Sequence, residues 1–394
     1  MLKEDLIRQL ASRVSAERLR DLTLELVKIP SLTGDSLAVT EFYAQTVRDL
    51  GLEVEVVRDF PSSPSTIAHF GPRIDGPTLT MDGHLDTIHP PHPAPYVEGE
   101  RIYGRGAGDM KSGVAAMIEA ARILVESGAQ LGGNLLLVTH SLHEAPVGHM
   151  EGLKALIARG DVFVDAALVA EGGFDSLAIR GKGQALFEVE ISREGEPLHE
   201  NVARPRGLPN PLDYAVCLAA RILERHNELA AGQEPLLGPE TYFLGQIHGG
   251  DFYNRLPNRA FLNGTYRYWP DKEWDDVYRE FDRLLASVER HPDLKVSRRV
   301  FGNGLGFDVS PNARIVGSLR SAYQTITGRE LPLVGALSVS DVNVIAREAG
   351  IPVVAHGTGS TTGHADLEWV SLPDIVRSTR VYLATIVDYL GAEL

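Results

Sequence analysis

The sequence predicts an α/β protein, a mainly parallel sheet flanked by helices, interrupted by a ferredoxin-like α+β module. Three observations carry this. Apolar runs alternate with segments of helical periodicity from Ser15 to Glu171. After Gly181 the order changes to strand, helix, strand, strand, helix, strand, the split βαβ pattern. From Arg314 onward the α/β alternation resumes.

The elements follow from local signals. Residues 15–29 place Leu19, Leu22, Leu26 and Ile29 at helical spacing, and Pro30 ends the run. Residues 37–50 form a second amphipathic helix closed by Gly51, and residues 52–56 alternate like a strand with one buried face. A strand through Leu79, Thr80 and Met81 leads into Gly83-His84-Leu85-Asp86-Thr87. Residues 112–127 read as a helix with Gly128 just past its end. The run from Asn134 to Val138 is apolar after its first residue, as in a strand covered on both faces, and residues 166–170 repeat the pattern before Glu171. In the interrupting module, strands are expected over 185–192, 241–248, 260–269 and 294–301, with helices over 211–229 and 274–288. Beyond it come helices over 315–324 and 342–349, a strand over 351–355 and a final amphipathic helix over 373–390. The expected division is residues 1–180 and 301–394 as one domain, with 181–300 inserted.

Composition excludes several classes. With 394 residues, 43% hydrophobic and 23% charged, the chain has material for two or three domains. A formal charge of −15 and a pI near 5.3 leave no basic footprint for nucleic acid. Cys217 is the only cysteine, so neither a disulfide framework nor a cysteine zinc cluster arises within one chain. The first residues are charged, and no stretch of about 18 apolar residues occurs, which points to a cytoplasmic protein without membrane contact. There is no internal repeat and no low-complexity tract.

Chemistry-bearing residues sit at the ends of the expected strands. His84 and Asp86 form a His-x-Asp pair, in which the imidazole can bind a metal through one nitrogen while a carboxylate accepts the hydrogen of the other. Glu144 and Glu171 follow two further strands. Asp109 lies between the loop Gly104-Arg105-Gly106-Ala107-Gly108 and the next helix, and His364 follows the strand at Val353. Parallel sheets carry their sites beyond the carboxyl ends of the strands, so His84, Asp109, Glu144, Glu171 and His364 are expected at one edge. Two imidazoles and three carboxylates suit zinc, cobalt or manganese better than calcium.

Gly83-His84-Leu85-Asp86-Thr87, Gly104 to Gly113, Glu144, Glu171 and His364-Ala365-Asp366-Leu367-Glu368 together resemble the M20 family of metallopeptidases and amidohydrolases. The resemblance covers nearly the whole chain. It implies two divalent metal ions, one held by His84, Asp109 and Glu171 and the other by Asp109, Glu144 and His364, with Asp86 behind His84. It further implies that residues 181–300 form a lid through which a homodimer assembles, with His199 acting on a small-molecule substrate from the partner subunit. Asn254 and Arg267 resemble residues that bind a substrate carboxylate. His89, His92 and His149 read as loop histidines.

One position departs from the pattern. The family usually has Glu-Glu where this chain has His143-Glu144, and the first glutamate is its general acid and base. An imidazole there can transfer the proton, serve an altered substrate, add a metal ligand, or mark a chain that has lost hydrolysis. Beside two dications its pKa is expected below the ordinary value of about 6.5. The implied reaction is hydrolysis of an amide-type C–N bond in a carboxylate-bearing N-acyl amino acid or peptide-like substrate. The alternatives are hydrolytic deamination of a non-peptide amine and a silent binding protein of the same fold.

Overall fold

The computed structural model describes residues 3–394. The chain divides into two compact units, one comprising Arg180–Phe307 and Gly335–Val339, the other the remaining described residues.

The larger unit is built on a six-stranded sheet. In spatial order its strands are Glu53–Val57, Ser65–Phe70, Asn134–His140, Thr78–His84, Ala166–Val169 and Val353–Ala355. The last four pair in parallel, and Ser65–Phe70 alone runs antiparallel to both its neighbours, which is the mainly parallel α/β sheet expected. Every residue of Thr78–His84 is buried, because helices cover the sheet and leave that strand no solvent face. The long helix Leu372–Leu390 packs against Arg314–Thr327, Ser112–Ser127 and Lys3–Ala11. The strand Ser65–Phe70 and the helices Lys3–Ala11 and Glu151–Ala158 have no counterpart in the sequence reading. Ser65–Phe70 mixes Thr66 and His69 among few apolar residues, and it is a strand because its backbone pairs on both sides.

The smaller unit is a four-stranded antiparallel sheet in the order Thr241–Gly249, Arg259–Tyr268, Gly183–Arg193, Leu294–Gly304. Strict alternation along Gly183–Arg193 turns Ala185, Phe187, Val189 and Ile191 into the core, where the helices Pro211–Leu229 and Trp274–Ala286 meet them. This is the ferredoxin-like arrangement that the βαββαβ pattern predicts.

One buried histidine in the larger unit makes stability depend on pH. His356 is fully buried among Phe174, Tyr323 and Tyr382, its ring nitrogens have no hydrogen-bond partner, and burial beside Arg377 pushes its pKa down to about 3. The unfolded chain therefore binds the extra proton first as pH falls. Stability is fully present above about pH 6.5 and is lost progressively toward pH 3, by about 2 kcal/mol between pH 7 and pH 5. Urea unfolding at those two pH values should show this loss in the wild type and a reduced one in His356→Phe; equal losses would reject it.

Candidate metal centre

The carboxyl ends of the parallel strands bring the predicted residues together. His84 ends its strand, fully buried, and its Nδ1 lies 3.0 Å from the main-chain oxygen of Asp86. That oxygen only accepts, so Nδ1 carries a proton, and Nε2 is the nitrogen that faces Oδ1 of Asp109, at 3.2 Å. The other carboxylate oxygen of Asp109 lies 3.2 Å from His364 Nε2, which in turn lies 3.0 Å from Oε1 of Glu144. Asp109 thus faces a different imidazole with each oxygen. His84, Asp109 and Glu144 offer donor atoms within 4.8 Å of one another, and so do His84, His143 and Glu171.

The donors fit a cation. A lone pair aimed at a carboxylate oxygen is repulsive unless a proton or a metal lies between them, and separations near 3.2 Å suit two ligands of one ion bound at about 2.0–2.1 Å each. Oε2 of Glu171 is buried with no hydrogen-bond partner, and burial together with the nearby Asp109 charge pushes its pKa up to about 7. Positive charge supplied at this point would relieve both penalties. His364 is pushed the other way, up to about 10, by its contacts with Asp109 and Glu144.

Backbone placement is tightly determined. Glu368, almost fully buried, accepts from the N–H groups of Gly108 at 2.8 Å and Asp109 at 3.0 Å, while Arg105 donates to its other oxygen at 2.9 Å. Buried Lys111 donates to the carbonyls of Leu26 and Ile29, tying the turn after Asp109 to the helix Ala16–Lys28. His364 and Leu142, which precedes His143, both hold φ above +60°, a strained conformation for these residues that often marks functional sites. Glu368 lies within the quoted motif, yet its role as the clamp on the Asp109 loop came only from the fold. Glu368→Ala leaves two buried N–H groups unpaired and takes from Arg105 its carboxylate partner. It should weaken metal binding about 10- to 100-fold, measured by competition with a chelator, with little change in secondary structure.

Several sequence expectations are altered by the geometry. The carboxylate of Asp86 is not the direct acceptor for His84: its Oδ1 lies 3.8 Å from Nδ1, whereas Oδ2 accepts from Thr33 at 2.8 Å and from the N–H groups of His143 and Glu144 at 3.0 and 3.1 Å. Its side chain instead holds the backbone at His143 and Glu144, just beyond the strand Asn134–His140. His143 stacks on His84, ring centroids 4.0 Å apart and planes within 8°. Its Nδ1 lies 2.9 Å from Oδ1 of Asp341, a residue that the sequence reading passed over. Burial and His84 press the His143 pKa down, but Asp341 and Glu171 outweigh them in the metal-free chain, so it stands above the ordinary value.

Behind Asp341 lies a second buried set. Nε2 of His140 stands 3.3 Å from Oδ2 of Asp341 and 3.5 Å from Oδ1 of Asp82, all three residues fully buried. Burial lowers the His140 pKa, and the two carboxylates more than offset it, to about 10. Asp82 within a fully buried strand was the available signal, since a charge there needs a partner.

In the smaller unit, His199 Nε2 lies 3.0 Å from the Asn254 amide, and its Nδ1 accepts from the N–H of Asn201. Arg267 donates to the carbonyl of Leu337 at 2.7 Å, so part of its guanidinium pins the segment Gly335–Val339. His92 accepts from the N–H of Glu368 at 2.8 Å, a loop clamp.

The model of peptidase family M20/M25/M40 matches residues 80–388. This chain belongs to that family. It is therefore a metal-dependent hydrolase of C–N bonds. Among its relatives is a succinyl-diaminopimelate desuccinylase of Anaplasma marginale, 26% identical, the match covering 92% of this chain and 94% of that protein. A [LysW]-lysine/[LysW]-ornithine hydrolase of Saccharolobus solfataricus is 25% identical over 94% and 95% of the two chains. Among solved structures, the aminopeptidase PepT of Bacillus cereus superposes with a TM-score of 0.77 at 22% identity, covering 95% of this chain and 99% of that one. The Bacillus subtilis YXEP protein, a dinuclear metal-binding peptidase of the M20 family, superposes at 0.65 and 16% identity over 95% and 98%.

Proposed function

We propose that this protein hydrolyses the amide-type C–N bond of a small, carboxylate-bearing N-acyl amino acid or peptide-like substrate at a dinuclear centre. The observation that carries the reading is Asp109, whose two carboxylate oxygens each face a different imidazole. His84, Asp109 and Glu171 would hold one ion, and Asp109, Glu144 and His364 the other, with zinc, cobalt or manganese suited to the set. When bound, such ions polarise the scissile carbonyl and activate the attacking water. The chain's own work is then to hold these donors in place and to move one proton. His143 Nε2 takes that proton and returns it to the departing amine. The desuccinylase and [LysW] hydrolase relatives support an N-acylated amino acid as substrate.

The assay is release of amine from N-succinyl and N-acetyl amino acids, dipeptides and aminated aromatics by the zinc-, cobalt- or manganese-loaded protein. Release from an amide, abolished by chelation and restored by metal, is the expected result. Ammonia released from an aminated aromatic alone would favour hydrolytic deamination, the second reading, for which an imidazole in place of a glutamate is the motive. Cytoplasmic location belongs to the same proposal; among the described residues no helix is long and apolar enough to cross a membrane.

The smaller unit is proposed as the lid and the dimer contact. The edge strand Thr241–Gly249 exposes Phe243 and Ile247, and the following loop exposes Phe252 and Tyr253, apolar surface that favours association. Asn254 and the free part of Arg267 are proposed to meet the substrate carboxylate. If His199 serves the partner's site, mixing His199→Ala with Asp109→Ala subunits should recover part of the activity that each lacks. A monomer by sedimentation that is fully active without His199 would reject this.

A further inference from the structure

The side chain that holds His143 is Asp341, and the arrangement around the pair limits what His143 can do. Asp341 Oδ1 lies 2.9 Å from Nδ1 of His143, and a carboxylate at that distance accepts, so Nδ1 carries a proton and Nε2 is the ring nitrogen that Asp341 leaves free. Asp341 is fully buried and cannot turn to solvent. Its second oxygen stands 3.3 Å from Nε2 of His140, which stands 3.5 Å from Asp82, ion-pair separations without hydrogen bonds, so that Asp82, His140, Asp341 and His143 alternate carboxylate and imidazole from the interior outward. Only the last of the four reaches the surface of the site, its side chain 10% exposed.

The stacking against His84 bears on whether His143 is a metal ligand. An imidazole nitrogen binds a metal along a lone pair that lies in the plane of its ring. Two rings 4.0 Å apart and within 8° of parallel direct those pairs side by side, not toward one point. His143 and His84 therefore do not share an ion, and an Nε2 lone pair beside the centre is left to accept a proton or hydrogen bond.

We propose that Asp341 is the positioning residue of His143, fixing its Nδ1–H tautomer and aiming Nε2 alongside the His84 ligand. This rests on the reading of His143 as the proton-transferring group. Full burial and the charge of His140 at 3.3 Å keep Asp341 in place in turn.

The test uses the zinc-loaded full chain with nitrogen-15-labelled histidine. The expected spectrum places the proton of His143 on Nδ1 and leaves Nε2 unprotonated. In Asp341→Asn the amide can instead donate, and the proton should redistribute toward Nε2. The same variant should retain its metal content and KM but lose about 10²-fold in kcat. Added to His143→Ala, Asp341→Asn should cost nothing further, because it acts only through the missing ring. A wild-type His143 protonated on Nε2, an unchanged kcat in Asp341→Asn, or an additive loss in the double variant would each overturn the proposal. Should no substrate be turned over, the functional reading fails by itself, and the wild-type spectrum still decides the tautomer without any variant having to fold.

Discussion

Asp109→Ala is expected to reduce metal content from two ions per chain to less than one and to lower turnover on the order of 10³-fold or more. The reason is geometric. Its Oδ1 faces Nε2 of His84 at 3.2 Å and its Oδ2 faces Nε2 of His364 at 3.2 Å, so one substitution removes a donor from both ligand sets. No nearby carboxylate can replace it from the same place, because Glu144 already meets His364 and the loop around Asp109 is held by Glu368. Replacement of Glu171 or His364 should be milder, each removing a donor from one set. Elemental analysis of the purified variants, alongside turnover on the best substrate, reads both effects. Full metal content in Asp109→Ala would mean that the two ions, if present, are held elsewhere.

Gly113→Ala should destabilise the larger unit by about 3 kcal/mol, although alanine in a helix ordinarily gains about 1 kcal/mol over glycine. Gly113 opens the helix Ser112–Ser127, where it packs against the end of the strand Ala166–Val169. A Cβ at this position would lie 2.0 Å from the carbonyl oxygen of Ala170 and 3.1 Å from its carbonyl carbon. The obstructing atom is backbone, so no side chain can rotate away, and either the helix or the strand end must move. Both choices disturb the metal centre, since Asp109 precedes that helix and Glu171 follows Ala170. Urea unfolding should therefore show a large loss of stability together with weakened metal binding. An unchanged midpoint would show that the close approach is not a constraint in solution.

Much of this candidate site was legible in the sequence because each proposed ligand closes a local pattern. His84, Glu144 and Glu171 come directly or shortly after strands whose apolar runs can be read unaided, and Asp109 comes between a glycine loop and a helix. Local periodicity marks where a strand ends, and in a parallel sheet those ends share one edge. The inserted module was legible for the same reason, its alternation of periods two and 3.6 being a short-range property.

What the sequence by itself determined, then, was the class of fold, the inserted module and the residues delivered to the sheet edge. Tertiary structure decided the partner of every one of those side chains. Asp341 meets His143 from nearly two hundred residues away along the chain, a separation of 198, and Glu368 reaches back across 259 to the N–H of Asp109. The two atoms of Asp86 that matter could not be told apart from a His-x-Asp motif: its carbonyl serves His84, and its carboxylate serves the backbone of His143 and Glu144. The physical reason is the range of the forces involved. Backbone periodicity and strand ends are encoded over a few neighbours, whereas a hydrogen bond or ion pair exists only where two distant segments place donor and acceptor within about 3 Å, a distance that packing of the whole core sets.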